Sequence, residues 1–136
     1  MFQKLEIKTT KRQELIVLTD QIQQVVNDLD VKSGICVLFC PHTTAALTIN
    51  SYLDPATAVD LVKEIDRLVP TRTDFVHVFD TPSDAAGHIK ASLIGGQYTI
   101  IIDQGKLQIG GSQGIMFWEF DGPRNRQVFV KIIASD

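Results

Sequence analysis

An α+β fold is what the sequence predicts: one domain over residues 1–136, mainly antiparallel β-sheet, with about three helices packed on one side. Two observations carry this. Stretches with two-residue alternation occur at both ends of the chain, and between them lie helical stretches with their own start and stop signals. A length of 136 residues suits one domain with a substantial core, and no repeat, low-complexity tract or linker divides it.

Phe2 to Lys8 and Glu14 to Thr19 read as a hairpin, with Leu5, Ile7, Leu15 and Val17 alternating with polar neighbours around the turn Thr9-Thr10-Lys11-Arg12. Asp20 is expected to cap a helix whose Ile22, Val25, Val26 and Leu29 share a face. Gly34 ends that connection, and Gly34-Ile35-Cys36-Val37-Leu38-Phe39 reads as a buried strand. Asp54-Pro55 starts a second helix, with Ala58, Leu61, Val62, Ile65 and Leu68 as its buried stripe and Pro70 closing it. A short strand is expected at Phe75 to Phe79. Thr81-Pro82-Ser83-Asp84 then opens a third helix, Ala85 to about Ile94, in which Gly87 either weakens the helix or permits a close backbone approach before His88. The final third reads as strands at Tyr98–Ile102, Leu107–Ile109, Ile115–Phe120 and Val128–Ile133, separated by glycine-containing turns.

Composition excludes several classes of function. With 44% hydrophobic and 21% charged residues the chain is an ordinary globular protein, and a net charge of −3 argues against a nucleic-acid-binding face. No apolar run approaches the roughly 20 residues of a membrane span, and the first residues lack a signal-peptide pattern, so a cytoplasmic location and no membrane partner are expected. If Cys36 and Cys40 share one extended strand they stand roughly 13 Å apart, beyond the roughly 7 Å that a disulfide spans. Cys36 reads as a small core residue, and Cys40 as the better candidate for a thiolate.

The chemistry gathers first in Cys40-Pro41-His42-Thr43-Thr44-Ala45-Ala46-Leu47-Thr48-Ile49-Asn50, where a thiol, an imidazole and three hydroxyls follow the central strand. The bland alternative is a proline turn whose threonines satisfy nearby backbone groups. The three histidines, His42, His77 and His88, would suit a catalytic ion with an open fourth position, although their spacing is no local metal motif and convergence depends on the fold. Gly110-Gly111-Ser112-Gln113 could form an anion-binding nest, with Lys90 and Arg124 supplying charge and Thr43, Thr44 and Ser112 hydroxyls. Against this, a Gly-Gly turn is more often a hairpin, and Arg124 could simply brace Asp121-Gly122-Pro123. Glu119, between Trp118 and Phe120, is a candidate proton shuttle if buried and an outward-facing strand residue if not.

Taken together, the Cys40–Asn50 stretch, His77, His88-Ile89-Lys90-Ala91-Ser92-Leu93-Ile94-Gly95, Gly105-Lys106-Leu107 and Glu119-Phe120-Asp121-Gly122-Pro123-Arg124 resemble the YjbQ family, also called the secondary thiamine-phosphate synthase family. The resemblance runs in order over nearly the whole chain. It implies a compact α+β domain assembling as a homotrimer, histidines near a subunit boundary, and a weak thiamine-phosphate synthase activity. Where many members read Gly-Thr-Trp-Gln, this chain has Gly110-Gly111-Ser112-Gln113, so an aromatic wall is absent at Ser112.

The resulting expectation is an enzyme joining a pyrimidine diphosphate to a thiazole phosphate with release of pyrophosphate. Cys40, His88 and Glu119 are its catalytic candidates. Thr43, Thr44, Asn50, Lys90, Ser112, Gln113 and Arg124 are expected to bind the phosphorylated substrate. His42, His77 and His88 are expected to hold a divalent ion, with zinc favoured over magnesium because imidazoles suit zinc. The alternatives are a metal-dependent hydrolase of a small phosphorylated or acyl metabolite, and a non-catalytic metabolite-binding trimer.

Overall fold

Residues 1–78 and 80–135 are described by the computed structural model, and they build three layers. The first is a five-stranded antiparallel sheet of β1 (Phe2–Lys8), β8 (Asn125–Ala134), β3 (Gly34–Phe39), β5 (Gln97–Asp103) and β6 (Lys106–Leu107), in that spatial order. The second is a three-stranded antiparallel sheet in the order β2 (Glu14–Val17), β7 (Gln113–Glu119), β4 (Ala45–Ser51). The third consists of α2 (Pro55–Leu68) and α3 (Pro82–Ile94). Helix α1 (Thr19–Asp28) reaches both sheets, touching β6 and β7.

Alternation along each strand explains the layering. In β8, Val128, Val130 and Ile132 point into the space between the sheets, where they meet Leu38 and Cys36 of β3 and Leu47, Ile115 and Phe117 of the smaller sheet. The other face of the smaller sheet sends Ala46, Trp118 and Phe120 against Ile65 of α2 and Ala91 and Ile94 of α3. Strand β7 is central in that sheet and covered on both faces, so Gly114 through Phe120 are all buried. Burying a side chain the size of Phe117 or Phe120 stabilises the fold by about 1.5–3 kcal/mol.

Several local expectations need correction. The segments Phe2–Lys8 and Glu14–Val17 are strands, but not a hairpin: β1 pairs with β8 and β2 with β7, in different sheets. Both segments alternate, so pattern alone could not distinguish a hairpin from a crossing between sheets. The α1 cap is Leu18 without a side-chain bond, and Asp20 lies inside the first turn; Thr19 instead accepts the Ile115 N–H through Oγ1 at 2.9 Å. In α2 the Asp54 cap accepts the Ala56 N–H as expected, yet Leu68 is 64% exposed, outside the buried stripe. The expected strand at Phe75–Phe79 is absent from its described residues: Val76 is 98% exposed, and Phe79 lies outside the described residues. Glu119 does not alternate outward, because the strand carrying it has no solvent face.

Helix α3 starts at Pro82, where the Thr81 hydroxyl accepts the Asp84 N–H at 3.2 Å. Gly87 is buried inside it, and a Cβ there would stand 3.3 Å from Thr44 Cβ. The glycine therefore lets α3 lie directly against the start of β4. That approach fixes the geometry of the site.

Candidate functional site

The β3–β4 connection, residues 40–44, is held from beneath by a buried ionic network. Glu119 has the same strand parity as Phe117, and Arg126 the same as Val128, so the two face each other across the inter-sheet space. Arg126 Nε donates to Glu119 Oε1 at 2.9 Å, and its other arm donates to Glu119 Oε2 and to Thr44 Oγ1. Thr9 Oγ1, where the chain crosses between sheets, donates to Glu119 Oε1 at 2.8 Å. Burial alone would raise the Glu119 carboxyl; the bonds from Arg126, Thr9 and the Asp121 N–H outweigh it and hold the group below the ordinary carboxylate range. Glu119 thus remains ionised and paired, without a proton to give. Nothing in the sequence pairs Glu119 with Thr9, which is 110 residues away.

Above this network lies a cleft of about 530 Å³, lined by Cys40, His42, Thr43, His88, Ser92 and Gly96 among others. Cys40 is buried, and burial raises its thiol against the opposing pull of the His42 N–H and Arg126. The expected thiolate is therefore a neutral thiol in the wall. His42 packs edge-on against Phe117, and its Nε2 accepts the Gln127 backbone N–H at 2.8 Å. Burial, reinforced by the Arg126 guanidinium, lowers its imidazole below the ordinary value.

His88, which lines the cleft, belongs to a cluster. His77 Nε2 lies 2.8 Å and His88 Nε2 3.2 Å from the same oxygen, Asp84 Oδ2. Asp84 and His88 are four residues apart, on one face of α3. The ligand atoms of His77, Asp84 and His88 all lie within 4.8 Å of one another. Atoms about 2.1 Å from a tetrahedral ion stand about 3.4 Å apart, so small side-chain movements suffice to seat one. Burial acts to raise the Asp84 carboxyl, but the two imidazoles hold it below the usual range. His42 is not in this cluster; Asp84 stands beside His77 and His88 instead. The signal for Asp84 lay in the Asp84–His88 spacing, masked by its position as a helix opener.

The remaining expected site residues lie elsewhere. Lys90 is fully buried and pairs with Asp66 Oδ1 of α2 at 2.6 Å, so its charge is spent between helices. Arg124 donates to the Asp121 carbonyl at 2.8 Å and to Asp121 Oδ2 at 2.9 Å, bracing its own turn. Thr44 is buried beneath the loop and receives Arg126; Thr43 is exposed on the cleft. Ala45 pairs with Glu119 and Ser51 with Gln113, so Asn50, Gln113 and Ser112 lie five to seven residues along the ladder from the cleft, roughly 20 Å away. There Gln113 Oε1 accepts the Gly110 N–H at 2.8 Å, closing the turn on itself.

A family model described as UPF0047 protein YjbQ-like matches residues 3–135. The chain belongs to the YjbQ-like UPF0047 family. It is 47% identical over 135 residues to a UPF0047 protein of Methanocaldococcus jannaschii, covering 99% of this chain and 96% of that one. It is 36% identical over 134 residues to UPF0047 protein YugU of Bacillus subtilis, covering 98% and 100%. Among solved structures, a YjbQ/UPF0047 family protein of Clostridium acetobutylicum superposes with a TM-score of 0.89 at 44% identity, covering 96% of this chain and 98% of that one. A YbjQ-like protein of unknown function from Sulfolobus solfataricus gives 0.93 at 29% identity, covering 99% and 97%. The α+β fold with antiparallel sheets and three helices is that of these UPF0047 relatives. No helix among the described residues is long and apolar enough to cross a membrane.

Proposed function

We propose that this UPF0047 protein is a metal-dependent hydrolase of a small metabolite, with the ion held by His77, Asp84 and His88. The observation that carries the reading is the convergence of two imidazoles and a carboxylate, one of which, His88, also lines the cleft. Two histidines and a carboxylate, with a further position open, form a donor set suited to a catalytic zinc ion. When bound, such an ion supplies Lewis acidity and acidifies water near neutral pH. The chain's own residues do the rest. His77, Asp84 and His88 would hold the ion, α3 fixes Asp84 and His88 four residues apart on one face, and Gly87 seats that helix against the loop carrying His42. In hydrolysis the water oxygen bonds to the substrate's electrophilic centre, the bond to the leaving group breaks, and the leaving group takes a proton.

The competing reading is thiamine-phosphate synthesis, which requires stabilising a departing pyrophosphate. Lys90 and Arg124, the cations expected for that work, are held by Asp66 and Asp121, and this favours hydrolysis. The homotrimer implied by the family resemblance draws support from the uncovered face of the five-stranded sheet. Phe2, Ile35, Phe39, Ile101 and Ile133 are exposed there, an apolar surface suited to a second copy of the chain. Sedimentation of the purified protein at three times the chain mass is the expected result.

Zinc titration by calorimetry tests the function, using wild type, His77→Ala, Asp84→Asn, His88→Ala and His42→Gln, followed by a screen of esters, lactones and phosphoesters. One ion per chain, lost in the first three variants and kept in the fourth, together with zinc-dependent turnover, is expected. Pyrophosphate release from the two thiamine precursors without turnover of any ester or phosphoester would replace this reading with the synthase.

A further inference from the structure

We infer that His42 is a fixed hydrogen-bond donor to a carbonyl or carboxylate oxygen of an acyl ligand in the cleft, and neither a metal ligand nor a base. The inference rests on the hydrolase reading and adds the class of substrate.

The tautomer follows from one contact. A backbone amide nitrogen can only donate, so the Gln127 N–H, 2.8 Å from His42 Nε2, requires a lone pair on that nitrogen. The neutral ring must then carry its proton on Nδ1. Nδ1 has no hydrogen-bond partner among the described residues. Among the described residues the one enclosed side-chain polar atom without a partner is Ser83 Oγ, so Nδ1 is not sealed from solvent, and His42 itself lines the cleft. A ring whose Nε2 is occupied and whose Nδ1 is protonated has no lone pair left for an ion or a substrate proton. It has one directed N–H to offer.

The surroundings keep it so. Burial against Phe117 of β7 disfavours a positive charge on the ring, and so does the guanidinium of Arg126 of β8. Glu119 of β7 acts in the opposite sense, but Arg126 pairs with it directly. Across the cleft, α3 presents His88.

The class of ligand follows from what the cleft lacks. Among the described residues no lysine or arginine lines it. Lys90, Arg124 and Arg126 are each bound to a carboxylate elsewhere. A phosphate would bring two charges against one neutral donor, whereas an acyl oxygen needs a directed N–H and little else. Thr43 adds a hydroxyl, and Phe39, Ala45 and Ala91 give apolar wall for the rest of an acyl group.

Ring-nitrogen NMR of the ¹⁵N-labelled full chain tests this, with and without zinc, between about pH 7 and 8, using acetate and inorganic phosphate as probes. The expected result is Nδ1–H with a bare Nε2 at His42 throughout, unmoved by zinc while His77 and His88 respond. Acetate should shift the His42 Nδ1 proton more than phosphate does. A proton on Nε2, or a zinc-induced change at His42, would overturn the donor assignment while leaving the metal site intact. A larger effect of phosphate would overturn the acyl class. Absence of any zinc response at His77 and His88 would instead sink the hydrolase reading, leaving the tautomer standing. His42→Gln, which keeps both a donor and an acceptor, should bind acetate within about threefold of wild type, and His42→Leu should lose about tenfold. Equal acetate affinity in wild type and His42→Leu would also refute the donor role.

Discussion

The two ends of the β4–β7 ladder are made of the same strands and have opposite characters. At the Ala45–Glu119 end, Thr9, Thr44, Glu119 and Arg126 are buried and bonded to one another, and the cleft opens directly above them. At the Ser51–Gln113 end, Asn50, Ser112 and Gln113 are exposed; among the described residues the Asn50 and Gln113 side chains accept N–H groups only from Ser51 and Gly110. Both ends looked polar and reactive in sequence. The difference is what lies beneath. A loop supported by a saturated buried network can hold an imidazole in one orientation, while a turn that satisfies itself has only its own conformation to offer.

The sharpest way to break this contrast is to remove the support. Arg126→Met leaves Glu119 buried without its counter-ion, and should cost about 3–5 kcal/mol in urea denaturation. Gln113→Ala at the other end should cost no more than about 1 kcal/mol. Equal losses would mean that the two ends are equivalent after all. Next in size is metal affinity: Asp84→Asn should weaken zinc binding by at least about tenfold, with Ser112→Ala unchanged in the same calorimetric titration.

Acid sharpens the comparison further. Because Glu119 is held below its ordinary value of 4.5, the stability it contributes is fully present above pH 4.5. It is lost as pH falls through the lower folded value, where the native carboxylate takes up its proton. The stability curve of Glu119→Gln should therefore be flatter than wild type on that acid limb, and the gap between the two should narrow as pH drops. A gap that stays constant from neutral to acid would show that the carboxylate's charge is not what supports the loop. Smaller still is the cysteine signal. Burial pushes the Cys36 thiol up to about 11 and raises that of Cys40, so neither should react appreciably with iodoacetamide near pH 8 unless the chain is unfolded. The smallest expected effect belongs to Asn50→Ala, within about 0.5 kcal/mol of wild type.

What was legible in the sequence was mostly local. The Asp54-Pro55 and Thr81-Pro82 helix starts, the central strand and the four C-terminal strands each carry their signal within a few residues, and all are present with ends shifted by a few positions. Strand β4 was hidden inside a stretch read for its chemistry. The division into two sheets was hidden too, since alternation gives a strand its faces but not its partner. At the site, His77 and His88 stood out as residue types. Their relation to Asp84 was written in a four-residue spacing, and reading it required knowing that α3 runs unbroken through Gly87. The roles of Lys90 and Arg126 were beyond local reading. Each is decided by a carboxylate on another element, Asp66 on α2 or Glu119 on β7.

The Lys90–Asp66 pair also makes the molecule report on its own breathing. With no part of its side chain open to solvent, the Lys90 amine is shielded from acylating reagents while α3 lies on α2. Each covalent label that it acquires must therefore record a moment when that seam parted. Mass spectrometry of labelling over time would count these openings, with surface lysines such as Lys63 as the internal clock. Since α3 also carries Asp84 and His88, an ion that clamps this helix to the residue 77 loop should slow the count.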